Sequence, residues 1–446
     1  MSEQATLGDI DVEADEPKSP YPADWQTVKV EDVANISGGS TPRKSNEEYW
    51  GGDTPWVSPK DFDGPWIEET EDQLTDAGVE ESTSNLLPPG SVLLVVRSGI
   101  LRRTLPIAKT LVPTTVNQDI KALEPQEDSI VPEYLFQVLH SRSEDVRGTC
   151  MKTGTTVESI QTSVLKKYEI PLPPEEEQRK IAAMGWSYDD AINKTESLID
   201  QSFRTKKGAV QNLFHRGTRG ADSYKSTTVG EIPEHWEVAS IGDVVEMAQY
   251  GISESLSKEG EYPIFRMNNM ENGYIVGEPM KYIDLDDDEF EKYRVEKGDI
   301  LFNRTNSHEL VGKTGIFELD GDYVFASYLV RLHTNERADP YYLNYYMNTQ
   351  QGQNRLKAFA TKGVSQSNIN ATNVQRVKLP LPPLEEQKEI AEIIRSYDDQ
   401  VEQNREYKNQ LQRSKKGLMQ DLITGKIRTA DKEIDIPDAI ETYESD

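Results

Sequence analysis

Two stretches of this chain carry a seam of positions spaced alternately four and three apart. In one, Ile181, Gly185, Tyr188, Ile192, Thr195, Ile199, Ser202, Lys206, Ala209 and Leu213 fall in a single register. In the other, Ile390, Ile394, Tyr397, Val401, Asn404, Lys408, Leu411, Lys415, Leu418 and Leu422 repeat it. That period predicts a long helix whose stripe, apolar at the ends and polar in the middle, needs a facing helix. Each stretch opens on Pro-Pro followed by acids, which suits a first helical turn, and closes near Gly217 or Gly425 among basic residues. A helix of about 40 residues is about 60 Å long. The simplest partner for either seam is the other one, packed antiparallel.

Outside the seams the pattern changes. Ser91–Val96 and Asp299–Phe302 are short apolar runs behind glycine turns and predict buried strands. Pro132–His140 and Pro340–Met347 predict matching helices that start at proline. These matches belong to a long duplication. Pro171–Asp190 reads PLPPEEEQRKIAAMGWSYDD and Pro380–Asp399 reads PLPPLEEQKEIAEIIRSYDD. The ungapped register continues through Arg219 and Arg428, with roughly two in five positions identical over about fifty residues. Upstream, Trp25 to Val33 resembles Trp236 to Val244, and Lys152 to Ile160 resembles Thr361 to Ile369. The fold class expected is α/β (α+β): two globular domains of about 150 residues, a pair of long antiparallel coiled-coil helices, and an internal pseudo-two-fold repeat. The boundaries expected are an acidic tail at 1–22, a first domain at 23–173, a first helix at 174–218 and a linker at 219–233. A second domain at 234–382, a second helix at 383–425 and an acidic tail at 426–446 complete the chain. Met1–Pro20 and Ala430–Asp446 are expected to be disordered.

Composition narrows the setting. No apolar run approaches the roughly 18 residues that would span a bilayer. The acidic start lacks the apolar segment of a signal peptide, so a cytoplasmic address is expected. Cys150 is the only cysteine, which excludes a disulfide framework, and the five histidines show no pair at metal-ligand spacing. The net charge is -29, from 78 acidic and 49 basic residues. Because the excess is spread over both halves, it reads as adaptation to a salt-rich (halophilic) cytoplasm and not as a patch for one basic partner. Taken alone it argues against nucleic acid.

Catalytic signals are absent from the motifs. Val311 to Gly315 (VGKTG) suggests a phosphate loop, but Ser307 stands where the earlier glycine is required, and a strand, not a helix, is expected to follow. Asp339-Pro340-Tyr341-Tyr342 reads as a helix cap with its first turn. Cys150 has no base beside it in sequence.

The basic residues, scarce overall, cluster in matching loops. The first domain offers Thr41, Arg43, Lys44, Arg97, Ser98, Arg102, Arg103, Lys152 and Thr155. The second offers Arg266, Asn268, Arg304, Asn306, Lys313, Lys362, Ser365 and Gln366. Arginine, lysine, amides and hydroxyls hold phosphates and read base edges. Two domains that share a frame but differ in these loops look like two readers of different DNA sequences.

The doubled Pro-Leu-Pro-Pro-x-x-Glu-Gln, each copy opening a long helix after a globular domain, resembles the DNA-specificity subunits of Type I restriction–modification systems. Gly38-Gly39-Ser40-Thr41-Pro42, Tyr49 to Gly52 and Pro55-Trp56-Val57 resemble that family's first target-recognition domain. The second domain departs from it, with Ala248 to Ser253 where the glycine stretch would stand. The resemblance implies that each domain reads one half of a split, asymmetric double-stranded DNA site. It implies that the helices set the gap and dock two methyltransferase subunits through Pro173, Pro174, Gln178, Tyr188, Pro382, Pro383, Gln387 and Tyr397. Motor–nuclease subunits would join them. S-adenosylmethionine, ATP and Mg would be bound by those partners and no cofactor by this chain, which would itself be non-catalytic. Two other readings stay open: a fused or stand-alone restriction or methylation enzyme, and a two-domain scaffold that binds no DNA.

Overall fold

The Ser91–Val96 run forms the strand Val92–Val95, and it is apolar throughout because both its faces are covered. Val92 and Leu94 enter one hydrophobic cluster with Leu135 and Ile170, while Leu93 enters another with Val57, Ile67 and Val116. Its counterpart is Ile300–Asn303. There Ile300 and Phe302 meet Leu343 and Leu379, and Leu301 meets Phe265 and Phe325. This computed structural model describes residues 20–81, 86–152, 157–307, 310–362 and 367–441. The chain divides into a first unit, Met1–Ser197 with Arg405–Asp446, and a second, Leu198–Asn404.

Each unit is built on the same sheet. In the first the strand order is Ala34–Gly38, Ile120–Pro125, Val92–Val95, Ile107–Thr110, Trp66–Ile67, antiparallel except for the last pair. In the second it is Val245–Tyr250, Leu329–Thr334, Ile300–Asn303, Thr314–Ile316, Tyr274–Ile275, with Met270–Glu271 added at the edge. A smaller sheet flanks each: Trp50–Val57 between Gln73–Leu74 and Thr115–Val116, and Tyr262–Phe265 between Lys281–Ile283 and Val324–Phe325. The entry strand pairs with the exit strand, Gln26–Lys29 with Glu169–Leu172 and Glu237–Ser240 with Lys378–Leu381. The proline-started helices run over Pro132–Ser141 and Pro340–Asn348.

The long helices span Glu175–Arg216 and Leu384–Ile423, 42 and 40 residues, or about 63 and 60 Å. Ile181, Ile199, Leu213, Ile390, Ile394, Val401 and Leu422 of the two seams are buried. Gly185 is small for a reason: a Cβ there would lie 2.4 Å from Cδ of Gln137. Within the first unit Asp189 pairs with Lys415 at 2.6 Å, and Glu196 pairs with Lys408. Within the second, Lys206 pairs with Asp398. In the first unit one residue number rises as the other falls, and in the second Lys206 meets Asp398 while Thr218, further along, meets Glu389, so the helices are antiparallel in each unit. The duplication makes one ion pair twice, because Asp189 and Lys206 correspond in the repeat to Asp398 and Lys415.

Two expected boundaries are corrected. The chain after 426 is not a free tail up to residue 441: Thr429 and Ile440 are buried, and Ile434 and Ile436 pack on the first unit's core. Lys180 Nζ donates to the carbonyl of Ala430 at 2.9 Å. At the other end Tyr21 and Pro22 already belong to the fold, since Tyr21 packs on the same core and Pro22 lies over Gly425. Met1–Ser19 and 442–446 lie outside the described residues. The expected linker at 219–233 contains a hairpin, Tyr224–Thr227 with Gly230–Pro233, held by the burial of Val229 and Ile232.

Candidate nucleic-acid interface

The first strand of each sheet is left through a glycine that nothing larger can replace. A Cβ on Gly39 would lie 1.6 Å from the carbonyl oxygen of Val116, and one on Gly251 would lie 2.3 Å from that of Phe325. Val116 and Phe325 end equivalent short strands. Gly251 therefore does the steric work of Gly39, and the departure noted in the second domain is confined to the residues around it. In each unit the loops that follow the first and third strands of that order meet the loop before the second strand at one end of the sheet. The registers place Gly38 opposite Lys121 and Val95 opposite Ile120, and Tyr250 opposite Val330 and Asn303 opposite Leu329.

In the first unit this end gathers most of the residues expected to read DNA. Thr41 Oγ1 donates to Gln118 at 2.6 Å, and Lys44 lies over the Trp56 ring at 5.9 Å. Both line an open cleft of about 520 Å³ with Lys60, Asn117 and Asp119. Arg97 pairs with Asp119 at 2.6 Å, and Arg102 with Glu158 at 2.7 Å. Ser98 accepts from the amide of Ile100 and caps the short helix Gly99–Arg102, with Arg103 exposed beyond it. Lys152 stands opposite Ser159, which bridges to Arg97. The Arg43 side chain is exposed, and Thr155 lies outside the described residues.

The second unit uses its basic residues differently. Arg266 donates to the carbonyl of Pro279 at 2.9 Å, and Lys313 donates to that of Met270 at 2.6 Å. Arg304 donates to the carbonyl of Ser327 and lies over the Tyr250 ring at 4.9 Å. Three cations expected to face DNA thus hold their own loops together. Asn268 is exposed, and Asn306 sits in a short strand opposite Ser367. Lys362 belongs to the strand Thr361–Lys362. Its side chain, Ser365 and Gln366 lie outside the described residues.

Four of the expected docking residues, Pro173, Gln178, Pro382 and Gln387, need correction. Gln178 and Gln387 are buried and turned inward: each side-chain carbonyl accepts the amide of the residue just before a proline-started helix, Val131 at 3.0 Å or Asp339 at 2.9 Å. Each amide nitrogen donates to the carbonyl of Pro173 or Pro382, and both prolines are buried. These four residues lock a long helix to its own unit. Pro174 and Pro383 are exposed, and Tyr188 and Tyr397 are half-buried.

Sequence reasoning missed a hub at each helix start. Glu177 accepts hydrogen bonds from Trp25 Nε1, from Arg428 Nε and Nη2, and from the amide of Thr429. Burial pushes its pKa up, but these donors outweigh burial and hold the carboxyl below its ordinary range. In the second unit Glu386 accepts from Trp236 Nε1 and contacts His235, while Glu389 takes Thr218 and Arg219. The signal was present, since Glu177, Trp25 and Arg428 each have a counterpart in the repeat. Cys150 is buried, which pushes its thiol up to about 11 and leaves it protonated. Among the described residues no cluster of three metal-ligating side chains occurs, and no helix is long and apolar enough to cross a membrane.

One frame used twice, with a different polar loop set on each copy, defines a duplicated, two-headed binding protein. Residues 22–200 and 233–413 both match the Type I restriction modification DNA specificity domain. The MjaVIII type I restriction enzyme specificity subunit of Methanocaldococcus jannaschii is 27% identical over 417 residues, covering 91% of this chain and 94% of that protein. The crystal structure of the S subunit of a Type I restriction–modification system from M. genitalium superposes with a TM-score of 0.56 at 15% identity, covering 90% of this chain and 96% of that one. A chain from a structure concerned with complex assembly and conformational transition of the type I system gives 0.55 at 19% identity, covering 91% and 99%. These likenesses establish the fold. The chain belongs to the Type I restriction–modification DNA specificity family.

Proposed function

We propose that this chain is the sequence-reading subunit of a Type I restriction–modification complex and carries no catalysis of its own. Each unit reads one half of a split, asymmetric double-stranded DNA site. The paired helices fix the gap and offer two equivalent faces to two methyltransferase subunits, with motor–nuclease subunits joining the assembly in the cytoplasm. S-adenosylmethionine, ATP and Mg belong to those partners. The observation that carries this reading is the pair of equivalent loop sets, built on superposable strand orders but lined by different residues: Thr41, Arg97 and Asn117 to Asp119 in one unit, Tyr250, Arg304 and Ala326 to Tyr328 in the other. Duplication of a frame with divergence of its loops is what two different half-sites require.

The test is modified-base sequencing of a host that expresses the chain with its methyltransferase partner. The expected result is a split motif methylated on adenine, one half of which changes when 23–173 is exchanged and the other when 234–382 is exchanged. Methylation by the purified chain alone would make it an enzyme. A stable complex that leaves no motif would make it a scaffold.

A further inference from the structure

The two arginines at the reading end of the first unit share an arrangement not found among the described residues at the corresponding end of the second. Arg97 and Arg102 each meet a carboxylate through Nε alone: Asp119 at 2.6 Å and Glu158 at 2.7 Å. Their side chains remain 56% and 68% exposed, and no described residue accepts from the terminal Nη1 and Nη2 of either. A guanidinium gripped at Nε is fixed in orientation, with its two outer donors side by side and facing away. That pair of parallel donors matches the O6 and N7 acceptors of guanine in the major groove, a bidentate contact worth about 1–3 kcal/mol of discrimination. The carboxylates are placed by the fold. Asp119 accepts a further hydrogen bond from Gln118, whose side chain also holds Thr41. Glu158 lies directly before the strand Ser159–Ile160, and its carbonyl accepts from the amide of Ser98. In the second unit Arg304 and Arg266 donate through Nη atoms to the carbonyls of Ser327 and Pro279. The residue equivalent to Asp119 there is Tyr328, which cannot orient a cation by charge and is itself exposed.

Resting on the DNA-reading function proposed above, we propose that Arg97 and Arg102 recognise guanine in the half-site read by the first unit, with Asp119 and Glu158 as their positioning residues. The second half-site is then read without an arginine oriented by a carboxylate, through amide, hydroxyl and aromatic groups such as Asn268 and Tyr328.

The experiment is modified-base sequencing of hosts that express the methyltransferase partner with the native chain, Arg97→Ala, Arg97→Gln, Asp119→Asn or Arg102→Ala. The native motif is expected to hold guanine, on either strand, in the half assigned to residues 23–173. Arg97→Ala should relax one position of that half, with discrimination reduced about 5- to 150-fold, and leave the other half unchanged. Arg97→Gln should move that position toward adenine, which a glutamine amide matches. Asp119→Asn should relax the same position as Arg97→Ala at unchanged melting temperature, which a purely structural role would not do. A motif without guanine in that half, or variants that weaken methylation evenly at every site without altering the motif, would overturn the inference and make the arginines phosphate contacts. Absence of any split motif would instead defeat the function proposed above.

Discussion

Glu177→Gln removes one charge from the hub at the first helix start and changes the shape little. Glu177 is 1% exposed, and its two oxygens accept four donors. Oε1 takes Arg428 Nε and the Thr429 amide, while Oε2 takes Trp25 Nε1 and Arg428 Nη2. A glutamine amide has one acceptor oxygen, so in either orientation its nitrogen faces two N–H groups. One is a neutral donor, Thr429 or Trp25, and burying it unpaired costs about 1–3 kcal/mol. The other is a charged Arg428 donor, whose bond contributes about 1.5–3 kcal/mol. Arg428 is 36% exposed and keeps Asp24 at 2.6 Å, so water and Asp24 offset part of that second loss. The sum expected is about 3–4 kcal/mol, and at 2–4 °C per kcal/mol for a unit of this size the melting temperature should fall by about 10 °C. Scanning calorimetry in a fixed molar salt measures it, with Glu176→Gln, on the exposed neighbouring position, as the control expected to change little. The carboxyl is held low in the folded state, so its contribution is present above the unfolded pKa and is lost as pH falls through the folded one. The acid limb of stability should therefore be shallower in Glu177→Gln. A fall below about 1 kcal/mol, equal to that of the Glu176 control, would show that the hub does not hold the C-terminal segment.

Other outcomes are expected from the same structure. Asp189→Asn should destabilise the first unit by about 3 kcal/mol because it strands buried Lys415, and adding Lys415→Met should recover much of the loss; chemical denaturation of the single and double variants decides it. Burial pushes His140 down to about 4, and nearby Lys415 adds to the effect. The unfolded chain therefore takes up a proton there first, and stability should decline as pH falls from about 6.5 toward 4, less steeply in His140→Phe. Gly251→Ala should disturb the second unit's reading loop by driving a methyl into the Phe325 carbonyl. The expected result is loss of the second half of the methylated motif with the first half intact. At a net charge of -29 the isolated chain should bind DNA weakly and lose little on raising salt, as few counterions are released; filter binding across a salt series would expose the opposite.

Much of this organisation was legible because periodicity and duplication are local signals. The 4-3 seams announced the two long helices, since a stripe must be buried whatever the surroundings. The apolar runs announced the central strands for the same reason. What stayed hidden depends on long-range partners. Gln178 and Gln387 looked like surface contacts beside Pro-Pro, yet their amides satisfy backbone groups 47 and 48 residues away. The segment after 426 has the polar composition of a tail, but three spaced isoleucines at 434, 436 and 440 anchor it. Arg266, Arg304 and Lys313 could not be told from Arg97 by composition, because only the fold decides which cations meet a carbonyl. Asp119 and Glu158 were lost among 78 acidic residues.

The ion pair made twice has an evolutionary consequence. Each repeat carries both halves of the bond: Asp189 and Lys206 on one helix, Asp398 and Lys415 on the other. A gene shortened by recombination between its two similar stretches would encode a single head on a single helix, still holding one aspartate and one lysine at the right separation. Two such half-length chains, with their helices set antiparallel, would restore both bonds, but each chain would carry the same head.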